Sequence, residues 1–273
     1  LNWGIFRRPG LVAICLGALA VVNSAGNAGL QPIIAKFDRI DPLSSVYQIK
    51  WNSFSRVSAS IPMVGPPFLW GASPTAPANA LEQRLLTIDG MAGTWMPRYS
   101  DAPGYLDFLR YDITNLAYYA RHTGRAAVVG VGSGRDMLSA YLFGFRDITG
   151  VELNPIFIDL LTDPQKLRTY AGIADLPGIR FVVDDGRSWF ARTKEKFDLI
   201  EMSMVDTWAA TGAGAFSLSE NGLYTVEGWK TFLSALNPTG LFTVSRWHSP
   251  HTTVELGRVV SLAVAALMDL GTD

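Results

Sequence analysis

An unbroken apolar strand that ends in a glycine-rich turn is the feature that most constrains the fold of this chain. Residues 126–131 are apolar or glycine, residues 130–134 read Gly-Val-Gly-Ser-Gly, and residues 137–145 carry a helical pattern. Strands without polar alternation are typical of parallel sheets that are covered on both faces. Glycines at the end of such a strand let backbone amides approach a ligand closely. The sequence therefore predicts a buried strand, a ligand-binding turn and a helix in succession.

The alternation of strands and helices continues towards the end of the chain. Apolar runs that predict further strands cover residues 148–153, 179–183, 197–202 and 240–245. One helical pattern begins at Pro155, and another covers residues 226–236. Helices between consecutive strands imply a mostly parallel sheet with helices on both faces. We therefore predict an α/β, Rossmann-like fold for this part of the chain.

The sequence before the glycine turn is rich in aromatic and turn-forming residues. It predicts a strand or hairpin arm at residues 47–60, an exposed loop at residues 62–80, a short strand at residues 85–88 and an amphipathic helix at residues 105–120. Asp89-Gly90 is a strong turn dipeptide. We therefore predict a small β-rich subdomain over residues 41–104 and a Rossmann-like catalytic core over residues 105–273, which we interpret as cut short at its C-terminus.

A hydrophobic lead-in over residues 1–35 precedes these domains. Its most apolar part, residues 11–22, would extend about 18 Å as a helix, whereas the hydrocarbon core of a bilayer is about 30 Å thick. Three interpretations are open: the end of a transmembrane helix, the hydrophobic region of a signal peptide, or a buried helix of a soluble domain. We expect either attachment to a membrane through this segment, with the catalytic domain in the cytoplasm, or a cytoplasmic protein.

Charge and cysteine content exclude several classes of function. The 23 basic and 24 acidic residues nearly cancel and form no basic run, so a nucleic acid is not an expected partner. The single cysteine, Cys15, cannot form an intramolecular disulfide, and three scattered histidines argue against a metal site. Any chemistry must therefore rely on carboxylates, hydroxyls and a bound organic co-substrate.

Acidic residues follow the next two predicted strands, at the edge where the glycine turn lies. Glu152 ends the second strand, where a carboxylate can accept hydrogen bonds from both hydroxyls of a ribose. Asp185 and Gly186 end the third strand, where an adenine edge would lie. The alternatives are a plain tight turn for the glycines, and a helix N-cap or a solvated strand end for the two acids.

The register of the turn argues against a dinucleotide. A dinucleotide site has a third glycine shortly after the first two, and Arg135 occupies that position here. This departure favours a mononucleoside donor such as S-adenosylmethionine or its decarboxylated form. The simplest role of Asp136, in the first turn of the following helix, is to complement the helix dipole.

In the order of these features, the sequence resembles the polyamine aminopropyltransferases, the spermidine and spermine synthases. The resemblance covers roughly residues 45–245 and includes Val129, where many methyltransferases have an acidic residue. It is carried by Ile-Asp-Gly at 88–90, Arg-Tyr-Asp at 110–112, the turn at 130–134, Val-Glu at 151–152, Asp-Asp-Gly at 184–186, Phe-Asp-Leu-Ile at 197–200 leading to Asp206, and the stretch from Ser219 to Phe232. We interpret the chain as a divergent, membrane-linked member of this group.

The resemblance implies the fold of the S-adenosylmethionine-dependent methyltransferases and transfer of an aminopropyl group from decarboxylated S-adenosylmethionine to a polyamine-type amine. It implies no metal, and a homodimer formed through the β-rich subdomain. The residues that would bind the nucleoside are Gly130, Gly132, Ser133, Gly134, Glu152, Asp185 and Gly186. Asp206 would lie near the reacting amine, and Tyr111, Trp208 and Tyr224 could add cation–π contacts. Residues 209–215 are either a mobile lid or a passive loop.

Two departures from the family bear on the reaction. Ser133 stands where the family has an aspartate that helps to hold the donor's amine, and Ser203 stands where it has the proposed base. A serine cannot deprotonate an alkylammonium near neutral pH, so Glu201, on the same strand face as Ser203, is the nearest substitute. Two other functions stay open: a methyltransferase that uses S-adenosylmethionine and a small acceptor, and a non-catalytic nucleoside-binding domain tethered to a membrane segment.

Overall fold

The structure is a computed structural model, and it divides the chain into two compact units, Leu1–Leu43 and Ser44–Asp273. The residues that it describes are 8–25, 35–36, 39–40, 45–53, 55–90, 92–205, 222–247 and 254–271. The second unit contains the predicted Rossmann-like core and all but residues 41–43 of the predicted β-rich subdomain.

The first unit contains one helix and a short hairpin. Helix α1 spans Pro9–Ala25, and strands β1 (Ala35–Lys36) and β2 (Arg39–Ile40) pair in antiparallel fashion. The 17 residues of α1 extend about 25 Å. In the described part of the chain, no helix is both long and apolar enough to cross a bilayer.

The β-rich subdomain is an antiparallel sheet. Its strands are β3 (Val46–Trp51), β4 (Arg56–Ser60), β5 (Met63–Gly65), β6 (Leu81–Ile88) and β7 (Ala92–Pro97). They lie in the order β3-β4-β6-β5, and β7 also pairs with β6. The predicted hairpin arm is confirmed as β3 and β4. The prediction of a loop over residues 62–80 is wrong at its start, because β5 pairs with the first half of β6 there.

The turn between β6 and β7 forms at Asp89-Gly90, as predicted. Both residues have left-handed backbone conformations, with φ of 49° and 73°. Two such residues in a row match the twist of a two-stranded hairpin. The Asp89 carboxylate also accepts a hydrogen bond from the Arg56 amide at 2.8 Å, which ties the turn to β4.

The predicted helix over residues 105–120 is wrong, because the segment is broken at Asp112. It forms two 3-10 helices, Asp107–Tyr111 and Ile113–Asn115, and a short helix α2, Leu116–Ala120. Asp112 itself is extended, with φ −99° and ψ 129°. Its carboxylate accepts hydrogen bonds from the amides of Trp70 (2.8 Å) and Thr114 (3.1 Å). A side chain that binds backbone amides in this way offers them an alternative to the hydrogen bonds of a continuous helix.

The core is an α/β layer structure with a parallel sheet, as predicted. Its strands are β8 (Arg125–Val129), β9 (Asp147–Glu152), β10 (Ile179–Val183), β11 (Phe197–Ser203) and β12 (Leu236–Ser245). Its helices are α3 (Arg135–Leu142), α4 (Pro155–Thr162), α5 (Arg168–Ala171), α6 (Gly186–Arg192), α7 (Val226–Ser234) and α8 (Val254–Asp269). The strand order is β10-β9-β8-β11-β12, and every neighbouring pair is parallel.

Helices cover both faces of this sheet. Alternate side chains of β8 point to opposite faces, and each set is buried against a different group of helices. Ala126 and Val128 belong to the buried cluster that contains residues of α3 and α4. Ala127 and Val129 belong to the cluster that contains residues of α6, α7 and α8. The chain runs from β8 to β9 on one side and later returns to β11 on the other. The carboxyl ends of β8 and β11 therefore form the topological switch point, where open α/β sheets bind ligands.

Candidate nucleotide-binding site

The glycine turn lies at this switch point, between the end of β8 and the start of α3. Gly130, Gly132 and Gly134 all have positive φ, at 84°, 51° and 82°. A β-carbon at Gly130 would lie 2.8 Å from the Val205 side chain, and one at Gly132 would lie 3.2 Å from that of Thr94. The positive φ favours glycine at all three positions, and a β-carbon at Gly130 or Gly132 would also force a neighbouring side chain to shift.

Glu152 joins the end of β9 to the turn. Its carboxylate accepts hydrogen bonds from the amide of Gly132 at 3.0 Å and from the amide of Asn154 at 2.8 Å. Burial raises the pKa of Glu152, and these amide hydrogen bonds oppose the rise. The structure thus brings Glu152 and the glycine turn together, with the carboxylate at the backbone of the middle glycine.

Asn154, which the sequence analysis missed, connects the same corner to the β-rich subdomain. Its side-chain oxygen accepts a hydrogen bond from the Ile156 amide at 3.2 Å, as the N-cap of α4, and one from Asn52 at 2.8 Å. Its side-chain nitrogen donates to the Ser55 hydroxyl at 2.9 Å. The sequence Asn154-Pro155, an N-cap residue followed by proline at the first helical position, is the local signal for this corner.

Asp185 and Gly186 lie where β10 passes into α6. Asp185 is the N-cap of α6, and its carboxylate accepts a hydrogen bond from the Ser188 amide at 2.8 Å. A β-carbon at Gly186 would lie 2.8 Å from the Val129 side chain, so this position packs closely against the end of β8. The capping role considered above is therefore present, and contact of Asp185 with an adenine stays a prediction.

The Ser133 side chain faces the β-rich subdomain. Its hydroxyl donates a hydrogen bond to the Trp95 carbonyl at 2.8 Å and lies 3.0 Å from the Thr94 hydroxyl. Ser133 is buried. These contacts fix the turn against β7, and they engage the hydroxyl that stands where the aminopropyltransferases have an aspartate.

A buried ion pair lies next to the turn. The Arg135 guanidinium donates to the Asp112 carboxylate, and the side chains are 4% and 0% exposed. Burial alone would raise the pKa of Asp112, but Arg135 and the hydrogen bonds from Thr114 and Trp70 outweigh it and leave the pKa below its ordinary value. Arg135, the residue in the third-glycine position, thus anchors α3 to the 3-10 segment that precedes β8.

Glu201 lies within the sheet layer, on the same face of β11 as Ser203, as predicted. It is 1% exposed, and its carboxylate accepts a hydrogen bond from the Tyr118 hydroxyl. Burial, with the nearby charge of Asp136, raises the pKa of Glu201 well above its ordinary value, although Tyr118 and Arg135 oppose the rise. A carboxyl group that is covered by Tyr118 and closed off from solvent is poorly placed to accept a proton from a substrate.

The chain after β11 approaches the turn directly. Met204 has a positive φ of 51°, a strained conformation for a residue with a side chain. Val205 contacts the Gly130 position, and its carbonyl accepts hydrogen bonds from Tyr224 (2.9 Å) and Arg246 (2.7 Å). Val205 therefore contacts the turn, and the next residue in the sequence, Asp206, is the one that we predicted to lie near the reacting amine.

Several predicted site residues lie outside the described residues. They are Asp206, Trp208, the segment 209–215 and the start of the stretch from Ser219. Tyr111 is described: it is half-buried, it precedes Asp112, and its carbonyl accepts a hydrogen bond from the Ser73 amide at 2.8 Å. The roles of Asp206 and Tyr111 stay predictions.

Comparisons with known proteins find no family model that matches the sequence, and no curated protein matches it either. Among solved structures, the chain is similar to a spermidine synthase in complex with the transition-state analogue AdoDATO, at 13% identity over 81% of this chain and 62% of that one, with a TM-score of 0.49. It is also similar to the spermidine synthase from Thermotoga maritima, at 15% identity over 81% and 63%, with a TM-score of 0.47. A precorrin 8w decarboxylase from Methanobacterium thermoautotrophicum follows at 16% identity over 58% and 69%, with a TM-score of 0.37. The chain spans less than two thirds of the length of either spermidine synthase.

Proposed function

We propose that this protein is a transferase that takes its donor group from an S-adenosyl compound. The observation that carries the proposal is the glycine turn at the switch point, with the Glu152 carboxylate 3.0 Å from the Gly132 amide. Glycines that expose backbone amides, a helix N-terminus and an acidic residue at the next strand end are the parts from which open α/β sheets build nucleoside sites.

The roles of the residues follow from their positions. Gly130, Gly132 and Gly134 let the donor approach the backbone, and Glu152 accepts hydrogen bonds from the ribose hydroxyls while it holds the turn. Asp185 and Gly186 lie at the adenine end. Ser133 acts on the donor indirectly, because its hydroxyl fixes the turn to β7.

Aminopropyl transfer to a polyamine-type amine is the reaction that the resemblance implies. The amine nitrogen attacks the carbon next to the sulfonium sulfur, a C–N bond forms, and the C–S bond breaks with its electron pair passing to sulfur. The leaving group is already activated, so the protein must align the amine and keep it unprotonated. With Glu201 buried against Tyr118, Asp206 is the carboxylate to which we assign this task, and Tyr111 is an aromatic candidate for a cation–π contact with the amine.

Methyl transfer from S-adenosylmethionine is the second candidate, and a specific observation favours it. The two positions that carry aspartates in the aminopropyltransferases are Ser133 and Ser203, and the Ser133 hydroxyl is engaged by the Trp95 carbonyl. The chain thus has no carboxylate at the position that holds the donor's amine in the aminopropyltransferases, Ser133, or at the position of their proposed base, Ser203. S-Adenosylmethionine carries a carboxylate of its own and depends less on such groups.

Calorimetric titration of the full chain with S-adenosylmethionine, its decarboxylated form and methylthioadenosine tests the proposal. We expect all three to bind, and we expect Glu152→Gln to weaken all three at least tenfold, because an amide replaces one ribose acceptor by a donor. The matched control is Glu195→Gln, which alters a surface ion pair with Arg180.

Donor preference then separates the reactions. Tighter binding of the decarboxylated donor supports aminopropyl transfer, and tighter binding of S-adenosylmethionine supports methyl transfer. Binding without turnover of any acceptor supports a non-catalytic nucleoside-binding domain. If none of the three compounds binds, the glycine turn is a plain turn and the proposed function is wrong.

A further inference from the structure

The two residues that follow β11, Met204 and Val205, combine a strained backbone with a contact to the glycine turn. Met204 has a φ of 51°, in the left-handed region that a residue with a β-carbon rarely adopts. Its amide donates a hydrogen bond to the Ser245 carbonyl at 3.0 Å. The Val205 side chain lies 2.8 Å from the place that a β-carbon at Gly130 would take. The residue that borders the first glycine of the turn therefore follows a conformation that the local sequence does not favour.

Two side chains hold the carbonyl of Val205. The Tyr224 hydroxyl donates to it at 2.9 Å, and the Arg246 guanidinium donates to it through Nη1 at 2.7 Å. A carbonyl oxygen has two lone pairs, so the two donors together satisfy it. Arg246 Nη1 also lies 3.3 Å from the Tyr224 oxygen, and the guanidinium lies 5.0 Å from the centroid of the Tyr224 ring. The two donors therefore hold each other in place as well.

Arg246 is itself fixed by a carboxylate on α8. Its Nε donates to Glu255 at 2.7 Å, and its Nη2 lies 2.7 Å from the same oxygen. The Arg246 side chain is 14% exposed. Two nitrogens thus face a carboxylate while the third faces a carbonyl, an arrangement that a planar guanidinium provides and the single nitrogen of a lysine does not. Arg246 therefore joins α8 to the strained end of β11.

The strain gives these contacts a role at the turn. A strained backbone conformation persists only where the surrounding structure imposes it. Without Arg246, the Val205 carbonyl loses one of its two donors, and Met204 can relax towards an ordinary conformation. Val205 would then move away from Gly130, and the turn would lose the side chain that packs against its first residue. A turn that must be ordered when a ligand binds has a lower affinity for that ligand.

We propose that Arg246 is a positioning residue for the donor site: it holds Val205 against Gly130 and so keeps the glycine turn in the conformation that binds the donor. The inference rests on the proposed function, since it concerns the same site. It adds a residue that lies beyond the end of β12, outside the glycine turn and the acidic strand ends.

Calorimetric titration of the full chain with methylthioadenosine tests the proposal. Arg246→Met removes the donors but keeps an unbranched side chain, and we expect it to weaken binding about fivefold or more. Arg246→Lys should weaken binding less, because one of the contacts can still form. The matched control is Arg110→Met, for which we expect a change of less than about twofold. Arg110 also pairs with a carboxylate (Asp107, 3.2 Å), donates to a carbonyl (Leu142, 3.2 Å) and lies over an aromatic ring (Phe143, 4.8 Å).

A double-mutant cycle shows whether Arg246 acts through Val205. Val205→Ala removes the contact with Gly130 and should itself weaken the binding of methylthioadenosine. In the Val205→Ala background, Arg246→Met should weaken binding by less than about twofold, because the contact that it supports is already lost. Unchanged binding in Val205→Ala, or losses of affinity that simply multiply in the double variant, would overturn the inference.

Hydrogen exchange without any nucleoside reports on the turn directly. The amides of Gly130 and Gly132 donate to the end of β9 at 2.8 and 3.0 Å, so their exchange measures how often the turn opens. We expect Arg246→Met to accelerate exchange at these two amides about fivefold or more, and Arg110→Met to leave it unchanged. Acceleration that is equal at all amides of the parallel sheet would indicate a general loss of stability and would overturn the positioning role.

The two readouts separate this inference from the proposed function. If the unmodified chain does not bind methylthioadenosine, the proposed function is wrong, and exchange at Gly130 and Gly132 still tests the role of Arg246. If Arg246→Met does not fold, Tyr224→Phe decides, because it removes one donor to the Val205 carbonyl and retains the ring. Tyr224→Phe should accelerate exchange at the same two amides, and unchanged exchange there would overturn the inference.

Discussion

Removal of the charge at Asp112 should destabilise the protein far more than removal of a charge at the surface. Asp112→Asn keeps the size of the side chain but deprives the guanidinium of Arg135, a residue that is 3% exposed, of its carboxylate partner. Loss of one partner of a buried pair costs about 3–5 kcal/mol. Asparagine retains one oxygen to accept the Trp70 or Thr114 amide, so we expect the lower end, about 3 kcal/mol.

A second variant separates the ion pair from the rest of the corner. In an Arg135→Met background no cation remains, so Asp112→Asn should cost only about 1 kcal/mol, the value of a typical hydrogen bond. The exposed pair of Arg125 and Asp147 supplies the control: Asp147→Asn should cost less than about 1 kcal/mol. The free energy of unfolding is measured by urea denaturation with linear extrapolation. A cost of Asp112→Asn below about 1 kcal/mol, or an equal cost in both backgrounds, would refute the argument.

Three further predictions concern the turn and the sheet. Ser133→Ala should lower the free energy of unfolding by about 1–3 kcal/mol, measured by urea denaturation, because it leaves the Trp95 carbonyl without its donor. Gly130→Ala should weaken methylthioadenosine binding in calorimetry, since the new methyl group would press on Val205 at a position with φ 84°. The pKa of Glu201 is raised by folding, so its contribution to stability is complete at acid pH and is lost as pH rises from the ordinary pKa of glutamate towards the raised one. Glu201→Gln should remove this decline, a slope of up to about 1.4 kcal/mol per pH unit, from the pH dependence of urea unfolding; an unchanged slope would contradict the burial argument.

Local patterns were sufficient to predict the parallel core. Strand β8, the glycine turn and α3 follow one another within about twenty residues, and each is specified by its own apolar run or turn chemistry. The Asp89-Gly90 turn was predictable for the same reason, because its left-handed conformations depend on the two residues themselves.

The parts that could not be predicted depend on partners that are distant in the sequence. The break at Asp112 is stabilised by Trp70 and Arg135, which are 42 and 23 residues away in the sequence. The helical pattern of residues 105–120 contains no sign of either contact. Alternation along β11 placed Glu201 on the face of Ser203. It could not reveal that Tyr118, 83 residues earlier, covers that carboxylate.

The contacts between the β-rich subdomain and the turn have a consequence for protein engineering. Ser133 is hydrogen-bonded to β7, and Asn154 is hydrogen-bonded to the loop between β3 and β4, so the antiparallel sheet holds the candidate nucleotide-binding corner in position. A graft that moves only the parallel sheet into another protein would carry the glycine sequence but not the surface that shapes it. Transplanting the site would require the antiparallel and the parallel sheet together, in one segment that begins before β3 and ends after β12.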